Sequence, residues 1–308
     1  MVYELNRRTF IKRAGQAGAL VFAGGALDAL LAACGGNIST PSTGKTQGTV
    51  TVQSKGLMLP GVLQWGATSD DGAPYVYKDP STGKLIGFEL EIANALAALM
   101  GITQKQIETD YAQLEQALQT NSFDMIMNGW EITPDRQKVE LFSQPYYRNG
   151  QQIVVRANDP RFSKYTANDD LSLLNLQGLT VGTGAGYQAE DILASDPKIK
   201  LRTYDPDLPF NDLALGRIDA VLIDYSTVTY YVLGYGAGAT VNKSLKIIGK
   251  PFEYSDYVVA FNKSSSSAKT LQNEINQAIT ILKNNGTLQN IYKKWGLWNS
   301  VQSQIGVK

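Results

Sequence analysis

Two stretches, "ALQTNSFDMIMNG" (Ala117–Gly129) and "LALGRIDAVLID" (Leu213–Asp224), follow one pattern. Each leaves a helical segment through a short polar turn, reaches Phe or Ile and then Asp, and continues as an apolar run that ends in a polar group. Asp124 matches Asp219, and Gly129 falls near the place of Asp224. A helix feeding a buried strand, once in each half, predicts two α/β lobes. Ligands of open α/β sheets sit beyond the carboxyl ends of strands. That places Gly129 and Asp224 at a site, while Asp219, at the far end of its strand, reads as structural.

Strand-like and helical runs alternate on both sides of these stretches. Leu63–Gly66 reads as a strand, and "GAPYVYKDPSTGKLIG" as a turn-rich hairpin. Apolar residues at Phe88, Ile92, Leu96 and Leu99 predict a helix from Phe88 to Met100, stopped by Gly101. Short helices are expected at Ala112–Gln119, Tyr187–Leu193, Pro209–Leu215 and Tyr225–Val232. Strands are expected at Phe123–Met127, Gln152–Val155, Thr180–Gly182, Lys200–Tyr204, Ile218–Ile223 and Tyr257–Phe261. A long helix, Ala268–Lys283, and a short one into "KKWG" close the chain.

The 308 residues are 43% hydrophobic and 18% charged, with a formal net charge of zero. That charge gives no reason to expect a nucleic-acid partner. The absence of histidine excludes Ser-His-Asp and Cys-His chemistry and leaves no expectation of a metal or cofactor. The one cysteine, Cys34, rules out an intrachain disulfide.

Residues 1–33 carry a twin arginine (Arg7, Arg8), a mildly apolar Ala/Gly-rich run and "LAAC" at its end. They resemble a twin-arginine export signal closed by a lipobox, with Cys34 as the lipidated residue. The alternative is a membrane-spanning anchor, against which Asp28 and the glycines count. Residues 34–48, rich in Gly, Ser and Thr, read as a flexible tether from lipid to folded body.

"NGWEITPDRQ" (Asn128–Gln137) poses an electrostatic question. Thr133-Pro134-Asp135 reads as a helix start with Thr133 as N-cap. Arg136 then sits at the positive end of a helix dipole, the wrong sign for a cation. An outside anion that both positive groups face would resolve it. The alternative is an Arg136 turned outward onto Asp135 or Glu140.

"GFELEIANALAALMG" (87–101), "NGWEITPDRQKVELFSQPYY" (128–147), "GRIDAVLID" (216–224) and "NNGTLQNIYKKWG" (284–296) stand together in an order and spacing that resemble the extracytoplasmic solute-binding proteins of ABC importers, polar amino-acid type. The resemblance spans roughly Val62 to Leu297. It implies a type II periplasmic-binding-protein fold, two α/β lobes joined by two hinge strands, with residues 49–150 plus 256–308 as one lobe and 151–255 as the other. It also implies a non-enzymatic, monomeric, high-affinity receptor that closes on one amino acid and docks on ABC permease subunits. Arg136, with N–H groups at Thr133, Tyr187 and Gln188, is expected on the ligand carboxylate. Asp224, Gly129 and Glu131 are expected on its amine; for Asp224 a helix N-cap is the other reading. Tyr111, Ser69, Gly72, Tyr75, Trp130 and Gly184 are expected around the side chain, with Tyr75 either wall or core. "VGTGAGYQAED" lacks the Lys-Ser/Thr ending of a phosphate-binding loop.

Three departures bear on the ligand. Glu131 stands where many relatives have Thr or Ser, Ser69 where glutamine binders have an acid, and Gly72 where they have a second aromatic, an absence that should widen the pocket. Glu131 beside Asp224 favours a cationic group, and Ser69 pulls the other way. An enzyme on the same scaffold, with Glu131 as general acid, and a ligand sensor for a signalling partner are the competing readings.

Overall fold

The computed structural model describes residues 51–70, 72–205 and 207–308. The expected export signal (1–33) and the tether that begins at Cys34 (34–48) lie outside the described residues. The folded chain begins with β1 (Val62–Ala67), a hairpin of β2 (Tyr77–Lys78) and β3 (Leu85–Ile86), α1 (Phe88–Met100) and β4 (Thr103–Glu108). Next come α2 (Leu114–Gln119), β5 (Met125–Ile126), the single-turn α3 (Arg136–Val139), β6 (Glu140–Phe142) and the long β7 (Tyr147–Arg156). The second half holds β8 (Thr180–Gly184), α4 (Gln188–Ala194), β9 (Lys200–Tyr204), α5 (Phe210–Ala214), β10 (Ala220–Asp224) and α6 (Tyr225–Tyr231). It ends with β11 (Leu245–Tyr257), β12 (Ala260–Asn262), α7 (Ala268–Asn284) and α8 (Thr287–Lys294).

Ten of these strands form two five-stranded sheets, ordered β4-β1-β5-β12-β6 and β11-β7-β10-β8-β9, and β2 pairs with β3 apart from them. β1 lies parallel between β4 and β5, and β8 lies parallel between β9 and β10. Each lobe therefore turns the carboxyl ends of its parallel strands one way, which is where ligands bind in such sheets. β7 leaves the first lobe and β11 returns to it. The two pair antiparallel from Arg156↔Leu245 to Tyr147↔Tyr257.

The amphipathic pattern of α1 does what the sequence suggests. Phe88, Ile92 and Leu96 are fully buried in the first lobe's core, each burial stabilising by about 1.5–3 kcal/mol. Gly101 ends the helix in the left-handed region, φ 67°. At its start, the N–H groups of Phe88 and Glu89 donate to the carbonyls of Pro74 and Tyr75. The free end of α1 thereby holds the loop that carries Tyr75.

The matched aspartates have matched jobs. Asp124 accepts from the backbone N–H of Gln64, in β1, at 2.8 Å, and from Met58 at 2.7 Å. Asp219 accepts from the backbone N–H of Thr180, in β8, at 2.8 Å, and pairs with Arg161 at 2.9 Å. Each ties the base of its strand to the neighbouring strand, so Asp219 is structural as expected.

The structure departs from the sequence reading in five places. β4 and β6 were not foreseen as strands. The expected strand Phe123–Met127 pairs only over Met125–Ile126. Tyr257–Phe261 divides, with Tyr257 ending β11 and β12 starting at Ala260. The rest of β11 was not foreseen because its pairing slips between Ile248 and Ser255, around Gly249, Pro251 and a left-handed Glu253 (φ 48°). A strand with such slips carries no clean two-residue alternation to read.

Candidate functional site

A cleft of about 860 Å³ opens at the carboxyl ends of both sheets. Arg136, Tyr187, Asp224, Gly129, Glu131, Tyr111, Gly72, Tyr75, Trp130 and Gly184 all line it. Thr133, Gln188 and Ser69 do not.

Arg136 projects from α3, too short a helix for a strong dipole. Thr133 Oγ1 accepts the Arg136 backbone N–H at 3.2 Å, and its carbonyl accepts from Gln137. The helix starts two residues later than expected, with Asp135 rather than Thr133 at its N-cap, and the Thr133 hydroxyl supports this one turn rather than the cleft. The guanidinium carbon stands 3.4 Å from the centroid of the Trp130 ring, and Nη1 donates to the Glu131 carbonyl at 2.9 Å. The outward pairing does not occur: Asp135 is held by Lys138, and Glu140 accepts Trp130 Nε1–H at 2.9 Å. Glu140 thus orients the indole and the indole supports the cation, an arrangement suited to planar guanidinium. Among the described residues no carboxylate pairs with Arg136.

Asp224 ends β10 and is 5% exposed. It does not cap α6 with its side chain. Gln151 Nε2–H donates to Oδ1 at 2.7 Å, and the Tyr257 and Tyr75 hydroxyls lie 2.7 and 3.1 Å from Oδ2. Burial pushes its carboxyl up, and Tyr257, Gln151 and Tyr75, with Asn149 beside them, pull it back. Glu131 is equally buried and accepts from the Ser255 hydroxyl. Burial pushes its carboxyl well up, the nearby Asp224 pushes it further, and Ser255 and Arg136 oppose both.

Tyr111 from the first lobe and Tyr187 from the second meet across the cleft with ring centroids 5.6 Å apart, and Tyr111 also packs on Trp130 at 5.4 Å. Burial pushes the Tyr111 phenol up to about 12 despite the nearby Arg136. Gly184 leaves room for the Tyr187 ring, which would stand 2.9 Å from an added Cβ. Tyr75 is both wall and core. Its ring packs on Phe88 and Tyr257, and its hydroxyl reaches the second lobe.

Several expectations change. Ser69 spends its hydroxyl and N–H on Glu108 and is turned away from the cleft. Gly129 lines the cleft, is left-handed, φ 60°, and donates its N–H to Glu89 Oε1 at 2.7 Å, which leaves untouched its expected place beside the ligand amine, where an acceptor is needed. The Tyr187 N–H goes to the Gly184 carbonyl at 3.3 Å, and Glu190 fills the loop's anion position by accepting from Gly186 N at 2.6 Å. Gly72 serves backbone packing rather than pocket width, since a Cβ there would strike the carbonyls of Val76 and Thr68.

Sequence reasoning missed the charge of the wall. Asp70, Asp110, Glu115 and Asp205 join Glu131 and Asp224, six carboxylates against Arg136 as the one cation among the described lining residues. They come from four separate loops or helices, so no local pattern announced them. Among the described residues no group of His, Cys, Asp or Glu could hold a metal ion.

Comparison with known proteins agrees with this architecture. Residues 66–297 match the bacterial extracellular solute-binding proteins, family 3, and the chain belongs to that family. The L-cystine-binding protein TcyJ of Escherichia coli (strain K12) is 32% identical over 69% of this chain and 75% of the relative. The structure of an ancestral arginine-binding protein bound to glutamine superposes with a TM-score of 0.63 at 31% identity, covering 78% of this chain and 100% of that one. The ancestral amino acid-binding protein AncCDT-1, described as a precursor of cyclohexadienyl dehydratase, gives 0.63 at 28% identity over 76% of this chain and 95% of its own. The curated relatives are transport-associated binding proteins, and the chain is a binding protein rather than an enzyme.

Proposed function

We propose that the chain is a receptor that binds a polar amino acid, neutral or basic, between its lobes and delivers it to an ABC permease. The observation that carries this reading is Arg136, a stacked and oriented guanidinium without a carboxylate partner, in a cleft that also holds two buried carboxylates. A free amino acid presents both complementary charges. Its carboxylate meets the two-pronged guanidinium, and its ammonium meets Asp224 and Glu131. Tyr111, Trp130 and Tyr187 supply the aromatic walls for its side chain. The excess of carboxylates in the wall disfavours aspartate and glutamate as ligands. The names of the relatives, which include binders of cystine, arginine, histidine and glutamine, point to the same ligand class. Export by the twin-arginine signal, lipid attachment at Cys34 and a monomeric state on the outer side of the cell membrane complete the proposal. Among the described residues no helix is long and apolar enough to cross a membrane.

Thermal unfolding of the domain from Thr49 onward, against the twenty amino acids, tests this. A ligand at 100 times its Kd should add about 2.7 kcal/mol of stability. Arg136→Ala should weaken binding about a hundredfold, near 3 kcal/mol, as expected for truncating one partner of a buried charge pair. No response to any amino acid, with Arg136→Ala altering only the baseline, would remove the receptor reading.

A further inference from the structure

The stretch "GFELE" (87–91) places two carboxylates, Glu89 and Glu91, in the first turn of α1. They are two residues apart, so they face opposite sides of the helix. Glu91 turns outward and accepts from Lys294 Nζ and Trp295 Nε1, of the "KKWG" stretch, at 2.7 and 3.0 Å. Glu89 turns inward and is fully buried. Its Oε1 accepts both the Gly129 backbone N–H, at 2.7 Å, and the Tyr146 hydroxyl. Its Oε2 is buried and takes no donor.

Three parts of the site therefore meet on this one residue. The Glu89 backbone N–H holds the Tyr75 carbonyl at 3.1 Å. Its side chain holds the turn at Gly129 and, through Tyr146, the start of β7, the strand that leaves the first lobe. The turn matters most, because it lies between β5 and the Arg136-bearing α3. It is tied on both flanks: Asn128 Oδ1 accepts from Thr68 N at 3.0 Å, and the Trp130 carbonyl accepts from Val258 N at 2.9 Å. Between them, Glu89 holds the left-handed Gly129. Gly129 lines the cleft, and among the described residues no donor reaches its carbonyl.

We propose that Glu89 is a positioning residue for the ligand's ammonium: by holding the Gly129 N–H it fixes the turn whose free carbonyl joins Asp224 and Glu131 as the third acceptor. This deepens the amino-acid receptor reading and rests on it. An ammonium has three donors, and two carboxylates with one carbonyl satisfy all three. Without an acceptor at residue 89, the Gly129 N–H is left buried and unpaired, a cost that drives the turn out of place. The acceptor needed is one oxygen rather than a charge, since Oε1 takes both donors and Oε2 none. Glutamine keeps that oxygen; methionine, of similar length, does not.

Calorimetric titration with amino acids and their des-amino analogues reads the ammonium position directly. L-Arginine is paired with 5-guanidinopentanoate, and L-glutamine with 4-carbamoylbutanoate. In the wild type the analogue should bind about thirtyfold more weakly than the amino acid. Glu89→Met should cut that ratio about tenfold, the worth of one hydrogen bond to a charged group. Glu89→Gln should keep it within about twofold. A variant that is merely less stable weakens amino acid and analogue by the same factor, so the ratio separates positioning from folding. An unchanged ratio in Glu89→Met, or an equal fall in Glu89→Gln, would overturn the assignment while leaving the receptor reading intact. Binding of neither amino acid to the wild type would overturn the assignment together with the ligand class on which it rests.

Should Glu89→Met fail to fold, amide hydrogen exchange carries the test. The Gly129 amide should be protected in the wild type and equally protected in Glu89→Gln. A Gly129 amide that exchanges freely in the folded wild type, or becomes free in Glu89→Gln, would overturn the assignment.

Discussion

The two lobes share a device at the base of one strand and differ at its tip. At the base, Asp124 and Asp219 each take a backbone N–H of the neighbouring strand at 2.8 Å. At the tip, the first lobe ends in a left-handed glycine, Gly129, whose N–H is held from below by the buried Glu89. The second ends in Asp224, held from the side by Gln151, Tyr257 and Tyr75. The repeated unit thus builds the scaffold twice, while the residue at its exit sets what each lobe offers. The first lobe gains a sharp turn that leads to Trp130, Glu131 and Arg136. The second gains a carboxylate with an organised set of donors.

The sharpest test of the shared base is to remove both aspartates separately. Asp124 serves two backbone donors and is 6% exposed. Asp124→Ala should cost about 4 kcal/mol in urea unfolding, since two donors lose their acceptor. Asp219 serves one backbone donor, and its ion pair with Arg161 is partly exposed. Asp219→Ala should cost about 1 kcal/mol. Equal losses would mean that the resemblance of the two bases is only geometric.

The tip of the first lobe should respond to pH through Glu89. Burial pushes this carboxyl up to about 7, against the pull of Tyr146 and Gly129. Below pH 4.5 the folded and unfolded chains both keep the proton, so the shift has no effect. Between about 4.5 and 7 the unfolded chain gives up its proton first, and stability falls as pH rises. The loss should level off above about 7, at a size on the order of 3 kcal/mol. Glu89→Gln should remove Glu89's share of that slope in unfolding curves taken from pH 4 to 8. The slope that remains belongs to Glu140, also pushed up to about 7 by burial, and to Glu131, Asp224 and Asp124, which burial pushes up as well. An unchanged slope in the variant would show that Glu89 stays ionised in the fold.

A smaller effect separates two glycines of the paired stretches. Gly129 and Gly216 both have positive φ, 60° and 74°. A Cβ at Gly129 would stand 2.8 Å from the Tyr75 ring, whereas at Gly216 the nearest atoms are the end of the Arg156 side chain at 3.9 Å. Gly129→Ala should therefore cost about 2 kcal/mol and Gly216→Ala about 1 kcal/mol, the left-handed conformation alone accounting for the latter.

The repeated stretches made the two-lobed fold legible, because a helix, an aspartate and a buried strand are local signals. The ends of α1 and the span of β9 were equally plain. β11 was not, since its slips around Pro251 and Glu253 erase the alternation that marks a strand. For the site, Arg136 and Asp224 stood out through their position beside elements whose ends the sequence marks. The use of each N–H did not. Glu108 claims the Ser69 N–H and hydroxyl from 39 residues away, and Glu89 the Gly129 N–H from 40 away. Long-range hydrogen bonding of that kind leaves no periodic trace. Nor does the excess of acid around the cleft, which gathers one residue at a time from separate loops.

The stacking of Arg136 on Trp130 has an optical consequence. Among the described residues, Trp130 alone of the four tryptophans has a guanidinium on its face, at 3.4 Å. Its emission colour is set by the local electric field. A ligand anion drawn to Arg136 would reverse part of that field and shift the spectrum of this one indole, while Trp65, buried in the first lobe's core, would stay as it was. With its carboxylate at Arg136, a bound ligand would thereby report its own occupancy by fluorescence, with no dye attached.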